Sequence, residues 1–293
     1  MKIYFMLAYH RSAATPNSVL VDLFRILRSR GHRVDLAVAE DSLLEAEFMP
    51  LTYDLYVLKS HADLWLSLAG VLHNQGARVL NPYPCCMAAH DKIIASERLR
   101  TADIPAPRTW LTGDLTQLRR VVAEVPLVIK PYIGGRSKDV YFVRDPHQLA
   151  AVPPIQRQWL VQELIPGPGE DLKVYVIGDE VFALRKPFTP TSYKAPGQPC
   201  AVSSEVRDIA LRCGQAFGLG LYGLDMIESP DGPVVVDVNY FPSYKQVPNA
   251  AGRLADYIED YAWVRSAPLA PAWSHSVASH SAVPSKPPVE SVL

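Results

Sequence analysis

The 293-residue sequence has no long hydrophobic run and no strong excess of charge of either sign. No apolar stretch reaches the roughly 18 to 20 residues that a membrane-spanning helix needs. Its 29 Lys and Arg residues nearly balance its 30 Asp and Glu residues, giving a formal net charge of -1. No global field therefore favours nucleic acid or acidic membranes, and we expect neither as a partner. An anionic ligand must be held by local basic residues.

Cysteine is also scarce, with four residues at Cys85, Cys86, Cys200 and Cys213. They form no Cys-x-x-Cys pair, and the adjacent Cys85 and Cys86 cannot easily bridge each other, which argues against disulfide or metal roles. The first residues, MKIYFMLAYHR, lack a small-residue cleavage site and are typical of a buried strand, not of a secretion signal. These absences favour a cytoplasmic protein.

What the sequence does contain is globular composition, with 48% hydrophobic and 20% charged residues. Its length predicts two or three lobes. Within residues 1–85, the apolar segments KIYFMLA, RVDLAV, YDLYVLK and ARVLN are those expected of a parallel sheet covered on both faces. A helix between the first two is predicted from Thr15 as N-cap, Pro16 at the first position and Gly31 as the stop. Its apolar face would be Leu20, Leu23, Phe24 and Leu27.

Residues 86–265 change character towards α+β with antiparallel hairpins. The segment NPYPCC predicts a proline-rich connector with a domain boundary near residue 85, followed by a helix over about 90–101 and helices near 202–217 and 250–262. The predicted strands are PLVIK, KDVYFV, WLVQEL, LKVYVI, EVFALRK, LYGLDMIE and VVVDVN. Beyond them, the Ala, Pro and Ser content predicts a disordered tail over 266–293.

The segment LYGLDMIESPDGPVVVDVN carries three oxygen-bearing side chains, Asp225, Asp237 and Asn239. The last two lie two residues apart, hence on one face of a strand. Asp225 lies on the same face if the loop between the two strands has an odd number of residues. A loop from Ser229 to Pro233, for instance, would place Asp225 opposite Asp237. Two carboxylates and an amide oxygen suit magnesium. The alternative, a solvated hairpin face, fits less well because VVVDVN is otherwise a core strand, where a buried unpaired Asp is unfavourable.

Two further segments carry positive charge near turns. In VPLVIKPYIGGRSKDVYFV, Lys130 ends a strand before Gly134 and Gly135, whose backbone N–H groups could approach a phosphate. Taken alone, an ordinary hairpin turn explains this segment better.

The segment DLKVYVIGDEVFALRK predicts a hairpin around Gly178–Asp179 with Asp171 opposite Lys186. Lys173 and Lys186 would then lie within diagonal reach, which favours an anion between them as much as an exposed, screened face.

Taken together and in this order, these segments of the sequence resemble the ATP-grasp superfamily. The resemblance extends from residue 1 to about residue 262. The stretch HDKIIASERLRTADIPAPRTW resembles the entry helix and strand of its RimK-like branch, the ribosomal-protein glutamate ligases. The resemblance implies an ATP-grasp fold, with a doubly wound pre-ATP-grasp lobe over 1–85 and two subdomains over 86–265 that clamp ATP. It also implies ATP and magnesium as cofactors, with two ions, for which manganese can substitute.

The resemblance further implies a role for each motif position. The nucleotide-binding positions, from the phosphate lysines through the glycine-rich lid and the adenine hinge to the ribose contact, are Lys92, Lys130, Gly134, Gly135, Ser137, Gln162, Glu163, Leu164, Ile165 and Asp171. The implied metal ligands are Asp225, Asp237 and Asn239. Lys173 stands where ligases commonly have an Arg facing the transferred phosphoryl group, and it is our catalytic candidate together with Arg185.

Two branches of the superfamily compete for this chain. LKVYVIGDEV and DVNYFPSY, with Asp237 where the ligase branch usually has Glu, are similar to the inositol-trisphosphate 5/6-kinase branch. Against this, the lid GGRSKD lacks the Ser-His pair of that branch, and Ser243 replaces a usual Gly. A ligase would phosphorylate a carboxylate and pass the acyl group to an amine, whereas a kinase would phosphorylate a hydroxyl. The amino-terminal lobe and the Lys92 helix favour the ligase.

A third alternative is an inactive nucleotide-binding protein, which retention of the phosphate lysines and metal ligands disfavours. The acceptor is expected to be a small anionic molecule, and a homo-oligomer is left open. More distant substrate contacts are predicted in the loop that begins at the end of the second hairpin strand, at the residue just after the segment DVNYFPSY, and at the carboxyl ends of the first lobe's strands. These candidates are Lys186, Tyr193, Lys194, Lys245, His10, Arg11, Lys59 and His61.

Overall fold

The computed structural model describes residues 1–7, 18–38, 43, 51–133, 139–153, 158–187 and 196–263. A parallel sheet in the order β2-β1-β3-β4 forms the amino-terminal lobe. Its elements are β1 (Lys2–Leu7), α1 (Ser18–Ser29), β2 (Arg33–Val38), β3 (Leu55–Lys59), α2 (Asp63–Asn74) and β4 (Val79–Leu80). The predicted doubly wound lobe is confirmed.

Helix α1 illustrates how closely the local pattern determines this lobe. Leu23, Phe24 and Leu27 of the predicted apolar face are buried. Gly31 lies just beyond the end of the helix with φ +85°, a conformation that glycine adopts readily. The predicted N-cap, Thr15 with Pro16, lies outside the described residues.

The next segment holds an antiparallel sheet in the order β5-β8-β6-β7, which we call the middle sheet. Its elements are α3 (Tyr83–His90), α4 (Lys92–Thr101), β5 (Thr109–Thr112), α5 (Arg119–Glu124), β6 (Leu127–Pro131), β7 (Tyr141–Val143) and β8 (Trp159–Glu163), with short 3-10 turns at Leu115–Leu118 and Gln148–Ala151.

The predicted NPYPCC connector is wrong, because α3 begins within it. Pro82 is the N-cap and a second proline, Pro84, lies in the first turn, where a helix needs no backbone N–H from it. The boundary predicted near residue 85 therefore falls inside a helix.

The last described segment forms an antiparallel sheet in the order β11-β10-β9-β12-β13, which we call the carboxyl-terminal sheet. Its elements are β9 (Glu170–Ile177), β10 (Glu180–Pro187), β11 (Gln198–Cys200), α6 (Ser204–Phe217), β12 (Leu221–Ser229), β13 (Gly232–Tyr240) and α7 (Ala250–Trp263). The two predicted helices and the predicted strands of this segment are all present.

Buried apolar side chains form two clusters. One spans the amino-terminal lobe and the carboxyl-terminal sheet, and the other lies under the middle sheet around Trp159. The buried side chain of Asn81 links the amino-terminal lobe to the carboxyl-terminal sheet. Its Nδ2 donates to the carbonyl of Leu221 at 2.7 Å, and its Oδ1 accepts from the N–H groups of Gly220 and Leu221 at 3.1 and 3.0 Å. The amino-terminal lobe and the carboxyl-terminal sheet therefore share one core, separate from the middle sheet.

Candidate active site

Two sheet faces meet where the predicted phosphate and metal positions converge. Lys130 on β6 and Gln162 on β8 line a narrow cleft together with Lys92 on α4 and Asp237 on β13. The Nζ atom of Lys130 donates to the carbonyl of Val236 at 3.3 Å, which links the middle sheet to the carboxyl-terminal sheet. Predicted residues that are up to 145 positions apart in sequence thus lie around one cleft.

The three predicted metal ligands lie on neighbouring strands, with Asp225 on β12 directly opposite Asp237 on β13. The structure places Asp225 opposite Asp237 by a different pairing from the odd-numbered loop that we predicted. Ser229 pairs with Gly232 around a two-residue turn, and the regular pairing ends at Met226 opposite Val235. Val236 is then an extra residue in β13, a β-bulge that shifts the register by one.

The electrostatics of this hairpin fit a bound cation. Burial raises the pKa of Asp225; the Lys173 ammonium opposes this shift, and the Asp237 carboxylate adds to it. The Nδ2 atom of Asn239 donates to Oδ2 of Asp237 at 3.2 Å, so that its amide oxygen is left to accept. Close carboxylates with an amide oxygen are the hard ligands that Mg²⁺ prefers, and a divalent ion would relieve their repulsion.

Lys173 on β9 lies beside this hairpin, with Nζ 2.7 Å from Oδ2 of Asp225 and 3.4 Å from Oδ2 of Asp171. Burial lowers the pKa of Lys173, but the two carboxylates outweigh burial and raise it above its ordinary value. The predicted pairing of Asp171 with Lys186 is confirmed. The chain itself therefore supplies the anions beside Lys173.

Arg185, the other catalytic candidate, is not part of this cluster. It pairs with Leu172 of β9, whereas its neighbour Leu184 pairs with Lys173, so Arg185 lies on the opposite face of the sheet. Its guanidinium forms two hydrogen bonds with Glu228, each 2.9 Å long. Alternation along β10 thus removes Arg185 from the site.

The start of α4 forms the end of the cleft where phosphate binding is predicted. Asp91 caps this helix, accepting from the N–H of Ile93 at 2.8 Å, and the N–H of Lys92 donates to the carbonyl of Tyr132 at 3.2 Å. Burial lowers the pKa of Lys130, an effect that the Asp237 carboxylate opposes. Asp91 already caps the helix, so it is the two lysines, Lys92 and Lys130, that favour a negatively charged group in the cleft. The predicted lid residues Gly134, Gly135 and Ser137 lie outside the described residues.

The predicted adenine hinge, Gln162 to Ile165, comprises the last two residues of β8 and the two residues after it. The N–H of Glu163 donates to the Arg108 carbonyl at 3.0 Å, and the N–H of Leu164 donates to the Pro126 carbonyl at 2.8 Å. Among the described residues, the N–H of Ile165 has no hydrogen-bond partner. Within the predicted hinge segment that follows Gln162, Ile165 is therefore the residue whose backbone N–H remains for a base.

The hinge side chains are occupied as well. Gln162 is buried and its Nε2 donates to Oγ1 of Thr109 at 3.3 Å, and the Glu163 carboxylate accepts from Arg108 at 2.9 Å. These two side chains hold the strand end in place.

The amino-terminal lobe reaches the site through the end of β3. Tyr240 donates its hydroxyl to the Ser60 carbonyl at 2.7 Å and stacks on His61 with ring centroids 4.2 Å apart. Lys59 Nζ lies 5.3 Å from the centre of the Phe241 ring. Two of the strand-end candidates thus contact the residues directly after Asn239. His10 and Arg11 lie outside the described residues, as do Tyr193 and Lys194.

A family model described as the RimK-like ATP-grasp domain matches residues 89–258. The chain belongs to this family. A probable alpha-L-glutamate ligase of Stenotrophomonas maltophilia is 26% identical over 279 residues, covering 83% of this chain and 96% of the relative. An alpha-aminoadipate–LysW ligase of Saccharolobus solfataricus is 27% identical over 210 residues, covering 66% and 76% of the two chains.

Solved structures agree on the fold. A RimK-domain ATP-grasp protein of Sphaerobacter thermophilus superposes with a TM-score of 0.72 at 22% identity, covering 88% of this chain and all of that one. D-alanine–D-alanine ligase of Bacillus anthracis gives a TM-score of 0.67 at 18% identity, covering 89% and 97% of the two chains. The predicted ATP-grasp fold is confirmed.

These relatives confirm the ligase class that the sequence favoured, and none of those named here is a kinase. Membership of the family implies the use of ATP and a divalent metal ion. Of the helices in the described part of the chain, none combines the length and the apolar character required to cross a bilayer.

Proposed function

We propose that this RimK-like enzyme joins a carboxylate of an amino acid or peptide to an amine, using ATP with magnesium. The observation that carries this is the convergence of Asp237, which lies opposite Asp225, with Lys130 and Lys92 around one cleft. The names of the relatives support an amino-acid or peptide substrate. A small anionic acceptor, two metal ions and the replacement of magnesium by manganese belong to the same proposal.

Each residue of the cleft has a distinct task in this proposal. Magnesium, when bound, would neutralise phosphate charge and align the γ-phosphoryl group. Asp225, Asp237 and Asn239 would hold the ion through oxygen atoms. Lys92 and Lys130 would neutralise the remaining phosphate charge in a site from which water is largely excluded.

The reaction proceeds in two transfers. A carboxylate oxygen of the substrate attacks the γ-phosphorus, the bond to the β-phosphate oxygen breaks, and ADP leaves. The amine then attacks the acyl carbon, the phosphate departs with the bonding electrons, and the amine loses a proton. Lys173 lies beside the metal-ligand strands, where its charge could stabilise the transferring phosphoryl group.

Phosphorus NMR with magnesium, ATP, an amino-acid pool and an inositol-phosphate pool tests the reaction class. We expect ADP and free phosphate in equal amounts, formed only when carboxylate and amine are both present. Hydroxylamine in place of the amine should give a hydroxamate, because it captures an acyl phosphate. A new phosphate-ester resonance with ADP and no free phosphate would instead identify a kinase. Asp237→Asn is the matched inactive control.

A further inference from the structure

The amino-terminal lobe contains a topological switch point that the proposed roles leave unused. In the order β2-β1-β3-β4, the chain leaves β1 towards one edge of the sheet and reaches β4 towards the other edge. Open parallel sheets bind ligands in the crevice at the carboxyl ends of the two strands where this direction reverses. In this lobe those strands are β1 and β3, which end at Leu7 and Lys59.

Lys59 is a partly buried cation at that crevice. Its Nζ atom lies over the Phe241 ring, 5.3 Å from the ring centre, and no carboxylate or hydrogen-bond acceptor among the described residues pairs with it. Burial lowers the pKa of Lys59 to about 8. A buried charge without a partner is unfavourable unless a ligand of opposite charge compensates it. The Lys59 ammonium is therefore available to bind an anionic ligand, because the described part of the chain supplies no anion to pair with it.

The crevice also lies next to the proposed chemistry. Lys59, Ser60 and His61 dock against Tyr240 and Phe241, the residues that immediately follow Asn239 on the metal-ligand strand. An anionic group held by Lys59 would thus lie close to the substrate's reacting end. The nucleotide phosphates are assigned to the other side of Asp237, where Lys92 and Lys130 line the cleft.

We infer that Lys59 is a binding residue for a carboxylate of the amino-acid or peptide substrate, held at the switch point of the amino-terminal lobe. This inference rests on the proposed ligase function and adds the residue that recognises the substrate. An ammonium that lies over an aromatic ring, with no carboxylate partner among the described residues, can pair with one carboxylate oxygen of a substrate, whereas Lys173 is already neutralised by two carboxylates.

A binding experiment separates this inference from catalysis. Protein saturated with magnesium and a non-hydrolysable ATP analogue is titrated calorimetrically with each common amino acid, L-2-aminoadipate, and the corresponding α-carboxamides. We expect Lys59→Met to weaken binding of the preferred acid by about 10- to 100-fold, the size of a lost hydrogen bond to a charged group. Binding of its carboxamide should change little, so the preference for acid over amide disappears.

The controls use the same sheet. Lys2→Met removes an exposed lysine at the opposite end of β1 and should leave acid binding unchanged. Lys59→Met should bind the ATP analogue as the wild type does, and Lys59→Arg should retain part of the acid preference. Any one of three results would overturn the inference: an unchanged acid preference in Lys59→Met, weakened nucleotide binding in that variant, or no acid bound by the wild type. Acid binding that depends on Lys59 without phosphate release would overturn the ligase proposal alone.

Discussion

Two partly buried lysines flank the candidate site, and their surroundings differ in one respect. Lys173 in the carboxyl-terminal sheet touches the carboxylates of Asp225 and Asp171, whereas Lys59 in the amino-terminal lobe lies over an aromatic ring and has no carboxylate partner among the described residues. Burial acts in the same direction on both, yet the pKa of Lys173 is raised and that of Lys59 is lowered. The partner, not burial, decides the sign. The charge of Lys173 is neutralised within the protein, whereas the charge of Lys59 is available for a ligand.

The largest effect should come from the proposed metal ligand that lies opposite Asp225. Asp237→Asn keeps the shape of the side chain but removes one charge from the metal site, and we expect phosphate release to fall by more than about 100-fold. The fold should remain, because the change also relieves repulsion with Asp225. Phosphate-release kinetics and circular-dichroism melting measure the two outcomes, and unchanged turnover would refute the metal site.

The same substitution at the two lysines should change stability in opposite directions. At Lys59, the folded-state pKa of about 8 lies below the ordinary 10.5. The destabilising charge is thus fully present below pH 8, and stability is regained as pH rises towards 10.5. Lys59→Met should raise the free energy of unfolding by up to about 3 kcal/mol at pH 7, and this advantage should vanish near pH 10.5. Urea unfolding across that range measures it; a variant less stable than the wild type at pH 7 would contradict the comparison.

At Lys173, Met should instead lower the free energy of unfolding by about 1 to 3 kcal/mol, because two carboxylates lose their shared cation in a partly exposed setting. Magnesium should then raise the melting temperature of this variant more than that of the wild type, since the ion replaces the missing charge. Thermal unfolding with and without magnesium tests this. Equal magnesium responses would mean that Lys173 and the ion do not act on the same carboxylates.

The smallest effect is expected on the far face of the same sheet. Arg185→Met removes an exposed ion pair with Glu228, and surface pairs contribute little. We expect kcat/KM to change by less than about twofold. It is a matched control for Lys173→Met, and a large loss of turnover would restore Arg185 to the site.

Local patterns predicted much of this molecule. The Gly178–Asp179 turn fixes the register of β9 and β10, so the pairing of Asp171 with Lys186 follows from counting residues. The apolar spacing of α1 predicts its buried face, and Asp237 and Asn239 share a face by simple alternation.

Features that depend on long-range neighbours were not predictable in this way. The contact of Lys173 with Asp225 requires β9 to lie beside β12, a fact of sheet order with no local signal. Arg185 was grouped with Lys173 by chemistry, although its place in the alternation after Leu184 could have excluded it. The prolines of NPYPCC suggested a connector because proline breaks helices, but it also starts them.

The bulge at Val236 has a consequence for aligning this chain with its relatives. Residues of β13 before Val236 and residues after it belong to opposite phases of the strand, so the distance from the turn does not reveal which side chains face the nucleotide. An alignment that counts residues from the turn without a one-residue gap at Val236 would assign Val238 to the metal and Asp237 to the core. Insertions between relatives should therefore be placed by the position of the acidic residues, not by the length of the hairpin.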